Sequence, residues 1–143
     1  MCSSDLAMVS VADVADRAPR ALADGEQLAL GRRTVQWFDT PHVPHGWECG
    51  LMMETSTGTF LCGDLFTQPG HGEIALTTSD ILGPSESFRQ SMDYYAHSKY
   101  AGEHFAKLAA FQPRTLAVMH GSAWQGDGAA LLRELAQSVG ATP

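Results

Sequence analysis

Two short strand-like runs, the apolar-rich Gln27-Leu28-Ala29-Leu30 and the alternating Thr34-Val35-Gln36-Trp37 with Phe38, stand on either side of Gly31-Arg32-Arg33. Two such runs about a glycine-containing turn predict a β-hairpin. A second hairpin is predicted from Gly50-Leu51-Met52-Met53-Glu54 and Thr59-Phe60-Leu61-Cys62, joined by Thr55-Ser56-Thr57-Gly58. The period then lengthens. Phe88, Met92, Tyr95, Phe105, Leu108 and Phe111 recur at helical spacing, which predicts one long helix from about Ser85 to Phe111, closed by Pro113. Thr115 to Met119 reads as a short apolar strand, and Gly128 to Val139 as a terminal amphipathic helix with Leu131, Leu132 and Leu135 on one face. Upstream, Ser10 is placed to cap one or two helical turns that Pro19 ends, and Asp24-Gly25 signals a turn. The expectation is an α/β fold: one mixed sheet holding both hairpins and the strand at Thr115, with the helices packed on one face.

Composition narrows the class. With 143 residues, 44% hydrophobic and 17% charged, the chain suits one globular domain. Sixteen acidic against nine basic residues, a net charge of −7, argue against a nucleic-acid groove. No apolar run approaches the roughly 20 residues that cross a bilayer, and no secretory leader is legible. Cys2, Cys49 and Cys62 form no C-x-x-C pair, so neither a disulfide framework nor a zinc knuckle is expected, and a cytoplasmic setting is the default. Cys49 and Cys62 are expected to face each other across the second hairpin as buried thiols.

Chemistry concentrates in three loops, each following a predicted strand: Pro41-His42-Val43-Pro44-His45, Gly63-Asp64 and Met119-His120-Gly121. Imidazole and carboxylate are the ligands that zinc and iron take, and ligands held at strand ends can converge on one site. The competing reading makes each His a packing residue and Gly-Asp an ordinary turn. His97 and His104 fall on the long helix beside Lys99 and Glu103 and read as a solvated polar face. Tyr94, Tyr95 and Tyr100 read as core-boundary packing, and Met52-Met53 as strand filling.

The order and spacing of these groups resemble the metallo-β-lactamase fold superfamily, and within it the diiron branch of flavodiiron and oxygen-binding diiron proteins. The match rests on Thr40-Pro41 with His45, on Asp64 within Leu61-Cys62-Gly63-Asp64-Leu65-Phe66, and on His120 within Ala117-Val118-Met119-His120-Gly121. Nineteen residues separate the first pair and 56 the second. The resemblance implies the second, C-terminal half of an αββα sandwich, with Asp64 bridging two metal ions and His45 and His120 as further ligands. His45 is preferred over His42 because it stands four to five residues before the next strand. His42-Val43-Pro44 resembles the His-Thr-Pro motif of the superfamily's hydrolases, so His42 stays open as a second ligand or an orienting group. Glu48 stands where the diiron branch carries an acidic residue, implying a hydrogen-bonding role; a solvated carboxylate is the alternative.

One element of the family pattern is missing. The first half of the fold carries H-x-H-x-D-H, or H-x-E-x-D-H in the diiron branch. His71-Gly72-Glu73 begins that way, but Ala75 replaces the required Asp and the segment follows Asp64. The full sandwich needs on the order of 200 residues, so residues 1–143 are expected to be a partial domain whose first metal motif lies upstream. Cys2-Ser3-Ser4-Asp5-Leu6 is what a widely used sequencing adapter spells in one frame, and residues 1–6 are expected to be an assembly artefact. What the resemblance implies for the parent is two metal ions, iron favoured and zinc the alternative, acting on a small molecule. An oxygen- or nitric-oxide-reactive diiron oxidoreductase is the first reading, a zinc-dependent hydrolase the second, and a non-catalytic module the third. By itself this stretch is expected to turn over little or nothing. A flavin partner domain is not legible here. The sheet face without helices is expected to be apolar and to favour self-association into a homo-oligomer.

Overall fold

The computed structural model describes residues 15–70 and 73–141. The adapter-like Cys2–Leu6 stretch, the helix start expected at Ser10 and His71 lie outside the described residues. From residue 15 to residue 23 the backbone is irregular, so no helix occupies the described part of that segment.

Both hairpins form. β1 (Gln27–Leu30) pairs antiparallel with β2 (Arg33–Asp39), which pairs with β3 (Gly50–Glu54), which pairs with β4 (Thr59–Leu61). The remaining strands are β5 (Leu76–Thr77), β6 (Thr115–Ala117) and β7 (Ala123–Gln125), and the sheet order is β1-β2-β3-β4-β6-β7-β5. β4 and β6 run parallel, as do β5 and β7, so this is a mixed seven-stranded sheet. The parallel β4–β6 contact is the joint that matters, because it sets the ends of two strands 56 residues apart at one edge of the sheet.

The cross-strand register sorts the two faces. Met53, Phe60, Leu116 and Trp124 are successive partners on the inner face, and Phe38 pairs with Leu51 beside them. Against this face pack α2 (Ala101–Ala110) and α3 (Gly128–Ser138), contributing Phe105, Leu108, Leu132 and Leu135, all at 2% exposure or less. Each such side chain contributes about 1.5–3 kcal/mol on burial. Asp127 starts α3 by accepting the Ala130 amide at 2.9 Å, which satisfies one of the helix's otherwise unpaired donors. On the outer face Trp37, Met52, Leu61 and Ala117 lie side by side across four strands, and none of them is buried.

The single long helix expected between Ser85 and Phe111 is in fact two. α1 (Leu82–Met92) stops at Asp93, which adopts a left-handed backbone at φ 49°, and an irregular stretch leads to α2. Asp tolerates that conformation better than most residues. The stretch is held elsewhere: the Ala96 amide donates to the Pro44 carbonyl at 2.7 Å, and Tyr94 turns toward Asp64. β5 and β7, of two and three residues, are too short to carry a period and were not expected. The β3–β4 register, continued by one step, sets Leu51 opposite Cys62, so Cys49 and Cys62 do not face each other; both are free thiols.

Candidate metal centre

The first candidate loop folds on itself. After β2, the Thr40 amide donates to the Cys49 carbonyl at 2.8 Å and the buried Thr40 hydroxyl donates to the Val43 carbonyl at 3.0 Å. His42 takes a positive φ of 64°, and its Nδ1 accepts the Trp47 amide at 2.9 Å. The His42 ring is thereby engaged inside its own loop. His45, three residues on, is carried outward toward Asp64.

Asp64 leaves the end of β4 through Gly63, whose φ of 52° a side chain would resist. The turn is tied on both sides: the Cys62 amide donates to the Ala117 carbonyl at 3.0 Å, and the Leu65 amide to the Cys62 carbonyl at 3.0 Å. The Asp64 carbonyl accepts twice, from the Thr67 hydroxyl at 2.9 Å and from the Tyr94 hydroxyl at 3.0 Å. His120 follows β6, where the Met119 amide donates to the Gly63 carbonyl at 3.0 Å and continues the parallel pairing past the strand end.

These three loops bring three of the four candidate ligands together. His45 Nε2 contacts Asp64 Oδ2, and His120 Nε2 lies 3.2 Å from Asp64 Oδ1. Each imidazole meets a different oxygen of one carboxylate. Asp64 Oδ1 is buried and lacks a hydrogen bond; the His120 nitrogen is near enough but not aligned for one. A buried carboxylate oxygen without a proton donor is costly, and close approach to a nitrogen without hydrogen-bond alignment is what a shared cation would reconcile. The imidazoles stay accessible, with side-chain exposures of 46% for His45 and 60% for His120. Among the described residues no group of three or more His, Cys, Asp or Glu side chains converges on a single ion position. That follows from the split, because the two histidines flank opposite oxygens rather than one point. The donor set fits borderline metals such as iron or zinc. Two imidazoles and one carboxylate would leave coordination positions open on any ion they held.

Around this cluster lies an aromatic wall. The Tyr94 ring stands 6.0 Å from the His45 ring and 4.8 Å edge-on from Tyr95. Burial pushes the Tyr94 phenol above its usual range and the Tyr95 phenol far above it. The Arg89 guanidinium sits 5.4 Å over the Tyr95 ring and is bound by Glu86 at 2.7 to 3.0 Å. Burial likewise raises the Cys49 thiol, with the nearby Asp64 charge adding to the effect.

The other candidates stand apart. No hydrogen bond or ion pair engages Glu48 among the described residues, and it is half-buried. His104 is not on a solvated face as expected: it is half-buried, burial lowers its pKa, and its Nε2 is enclosed without a partner. Thr67 and Tyr94 were not singled out as site residues. Thr67 has a local signal, a hydroxyl three residues after Asp64 able to bond its carbonyl; Tyr94 has none, being 30 residues away.

No protein-family model and no curated protein matches this chain. Solved structures do. A flavo di-iron protein variant from Thermotoga maritima aligns with TM-score 0.74 at 17% identity, over 94% of this chain and 35% of its own. Rubredoxin oxygen:oxidoreductase from the anaerobe Desulfovibrio gigas aligns with TM-score 0.71 at 18% identity, over 94% and 36%. A chemotaxis sensor described as a peroxy diiron species aligns with TM-score 0.60 at 15% identity, over 78% and 48%. The chain thus has the fold of part of the flavodiiron, metallo-β-lactamase-type proteins, and spans about a third of the length of the first two.

Proposed function

We propose that this chain is the Asp64-bearing part of a di-metal protein whose metal is iron and whose substrate is dioxygen or nitric oxide. The observation that carries the reading is the division of the Asp64 carboxylate, with Oδ2 given to His45 and Oδ1 to His120. Asp64 would hold such a centre together with His45 on one of its oxygens and His120 on the other, the two imidazoles supplying the nitrogen ligands. In two-metal sites the ions stand about 3.5–4 Å apart, a span that the two oxygens of one carboxylate cover. Iron supports the reading over zinc because the solved structures sharing this fold are described as flavodiiron or diiron proteins.

Within such a site His45 and His120 would bind through imidazole nitrogen and Asp64 would supply the carboxylate. Iron bound there would supply the electrons and the open coordination positions that a diatomic molecule requires. Tyr94 stands beside the His45 ring, and the 40–49 loop that carries His45 is closed on itself by the Trp47 amide bound to His42. Three ligands do not fill two spheres, so the reading requires further histidines and acids from outside this set. A small-molecule substrate and self-association through the outer sheet face belong to the same proposal.

Metal content per chain in the full-length protein tests it. Two irons are expected, with Asp64→Ala losing both and His120→Ala chiefly weakening one. Two zincs in their place would move the assignment to a hydrolase. Two ions retained by Asp64→Ala would overturn it.

A further inference from the structure

The Asp64 and His120 loops are joined by more than the strands that precede them. Gln68 stands four residues after Asp64 and is half-buried. Its main-chain amide donates to the His120 carbonyl at 2.9 Å. Its side-chain amide closes on the residue two further along: Nε2 donates to the Ser122 carbonyl at 3.1 Å, and Oε1 accepts the Ser122 amide at 3.2 Å. Nε2 also reaches the Phe66 carbonyl of its own turn at 3.2 Å. The side chain of Gln68 thus extends the pairing beyond β4 and β6 by mimicking a strand backbone, with one donor and one acceptor toward the same residue. Gly121 lies between the bonded positions at φ 112°, and a Cβ there would fall 2.7 Å from Gln68 Cβ. Only glycine lets the two loops approach this closely.

We propose that Gln68 is a positioning residue, which locks the His120 loop to the Asp64 loop and so sets the distance between His120 Nε2 and Asp64 Oδ1. The role rests on the metal-site reading above, whereas the lock itself is a property of the metal-free chain. Without the lock, the His120 loop would keep to the Asp64 loop through the Met119–Gly63 and Gln68–His120 main-chain bonds, with the Ala123–Ala75 bond beyond it. Glutamine is needed for its double character. Leucine fills similar space with no polar atoms, and glutamate keeps the acceptor but turns a second oxygen toward the carbonyls of Ser122 and Phe66.

Amide hydrogen exchange on the intact 143-residue chain, without metal, tests the lock. In Gln68→Leu the main-chain amide of residue 68, whose acceptor is the His120 carbonyl, is expected to exchange at least tenfold faster after correction for intrinsic rates. The Cys62 amide on the adjoining strand ladder is expected to be unchanged. Gly121→Ala, which pushes the loops apart from the other side, is expected to give the same pattern. Unchanged exchange at residue 68 in both variants overturns the lock. Titration with Co²⁺ then separates the lock from the metal reading. An affinity about tenfold weaker in Gln68→Leu, in line with losses on removing groups that orient ligands, together with a greater loss in Asp64→Ala, supports both. Loosened exchange with wild-type Co²⁺ affinity overturns the positioning role. An affinity that Asp64→Ala leaves untouched overturns the metal reading and leaves the lock standing.

Discussion

The hydroxyl of Tyr94 donates to the main-chain carbonyl of Asp64 at 3.0 Å, across 30 residues of chain and from outside any helix. The bond explains why the expected long helix breaks. Continuing α1 through residue 94 would leave the phenol on the helix surface, whereas the turn at Asp93 carries it to the loop after β4. By engaging the carbonyl and not the carboxylate, Tyr94 orients the Asp64 backbone and leaves both side-chain oxygens to the histidines.

Tyr94→Phe removes only that hydroxyl. Thr67 still donates to the same carbonyl at 2.9 Å, so the acceptor is not orphaned and the cost in folding stability is expected to be about 1 kcal/mol, the net worth of one hydrogen bond. Adding Thr67→Val leaves the carbonyl without either donor, and the double variant is expected to lose more than the sum of the two single changes. Urea denaturation of the three variants measures the coupling.

The hairpins were legible because their signal is local: short strand-like apolar runs on either side of turn residues that contain glycine. The β4–β6 pairing was not legible, since nothing local joins strands so far apart in sequence; the resemblance implied only that Asp64 and His120 serve one site. The helix break at Asp93 was not legible. The stretch from 85 to 111 has neither proline nor internal turn pair, apart from Gly102, and the force that bends it is tertiary, the bonds of Tyr94 to Asp64 and Ala96 to Pro44. The loop histidines were legible as a pair. Their different placements depend on the Trp47 amide binding His42, a contact set by two positive-φ residues that no sequence period encodes.

Acid is expected to weaken the second hairpin through Glu54. Its carboxylate accepts from the Ser56 hydroxyl at 2.5 Å, from the Thr57 hydroxyl, and from both main-chain amides at 3.0 Å, which hold its pKa at about 2 against an ordinary 4.5. Because the folded value is depressed, this contribution is fully present above pH 4.5 and is lost as pH falls toward 2. The melting-temperature difference between wild type and Glu54→Gln is therefore expected to be constant from pH 7 to 5 and to shrink steadily as pH falls from 4.5 toward 2. A difference that stays undiminished from pH 5 down to pH 2 would assign the effect to shape and not to charge.

On the outer face, Trp37, Met52, Leu61 and Ala117 form an apolar strip one residue wide across four strands, and Leu61 is 42% exposed. Such a strip on a solvated sheet face favours association. The chain is expected to self-associate at high concentration, and Leu61→Lys to shift it toward monomer with a stability change within about 0.5 kcal/mol, since the side chain is not in the core. Sedimentation velocity across a concentration series reads both effects; a wild-type chain that stays monomeric throughout contradicts the expectation.

Gly50 and Gly46 make a paired test of how tightly the candidate loop is built. A Cβ at Gly50 would lie 1.9 Å from the Trp37 ring, which covers the start of β3 and whose Nε1 donates to Asp39 Oδ1 at 2.8 Å. Alanine there must expel the indole, breaking that bond and disturbing Asp39, whose amide and carbonyl are bound by Asp24 and Lys107 at 2.9 and 2.8 Å. Overpacking of this kind costs about 1–3 kcal/mol. At Gly46, beside His45, nothing lies within 4 Å of the added carbon, so alanine is expected to be neutral or slightly stabilising by restricting the unfolded chain. Urea denaturation of Gly50→Ala and Gly46→Ala is thus expected to separate two glycines only four residues apart by at least about 1 kcal/mol. Equal stabilities would mean that the Trp37 ring yields freely and that β3 is not clamped at its first residue.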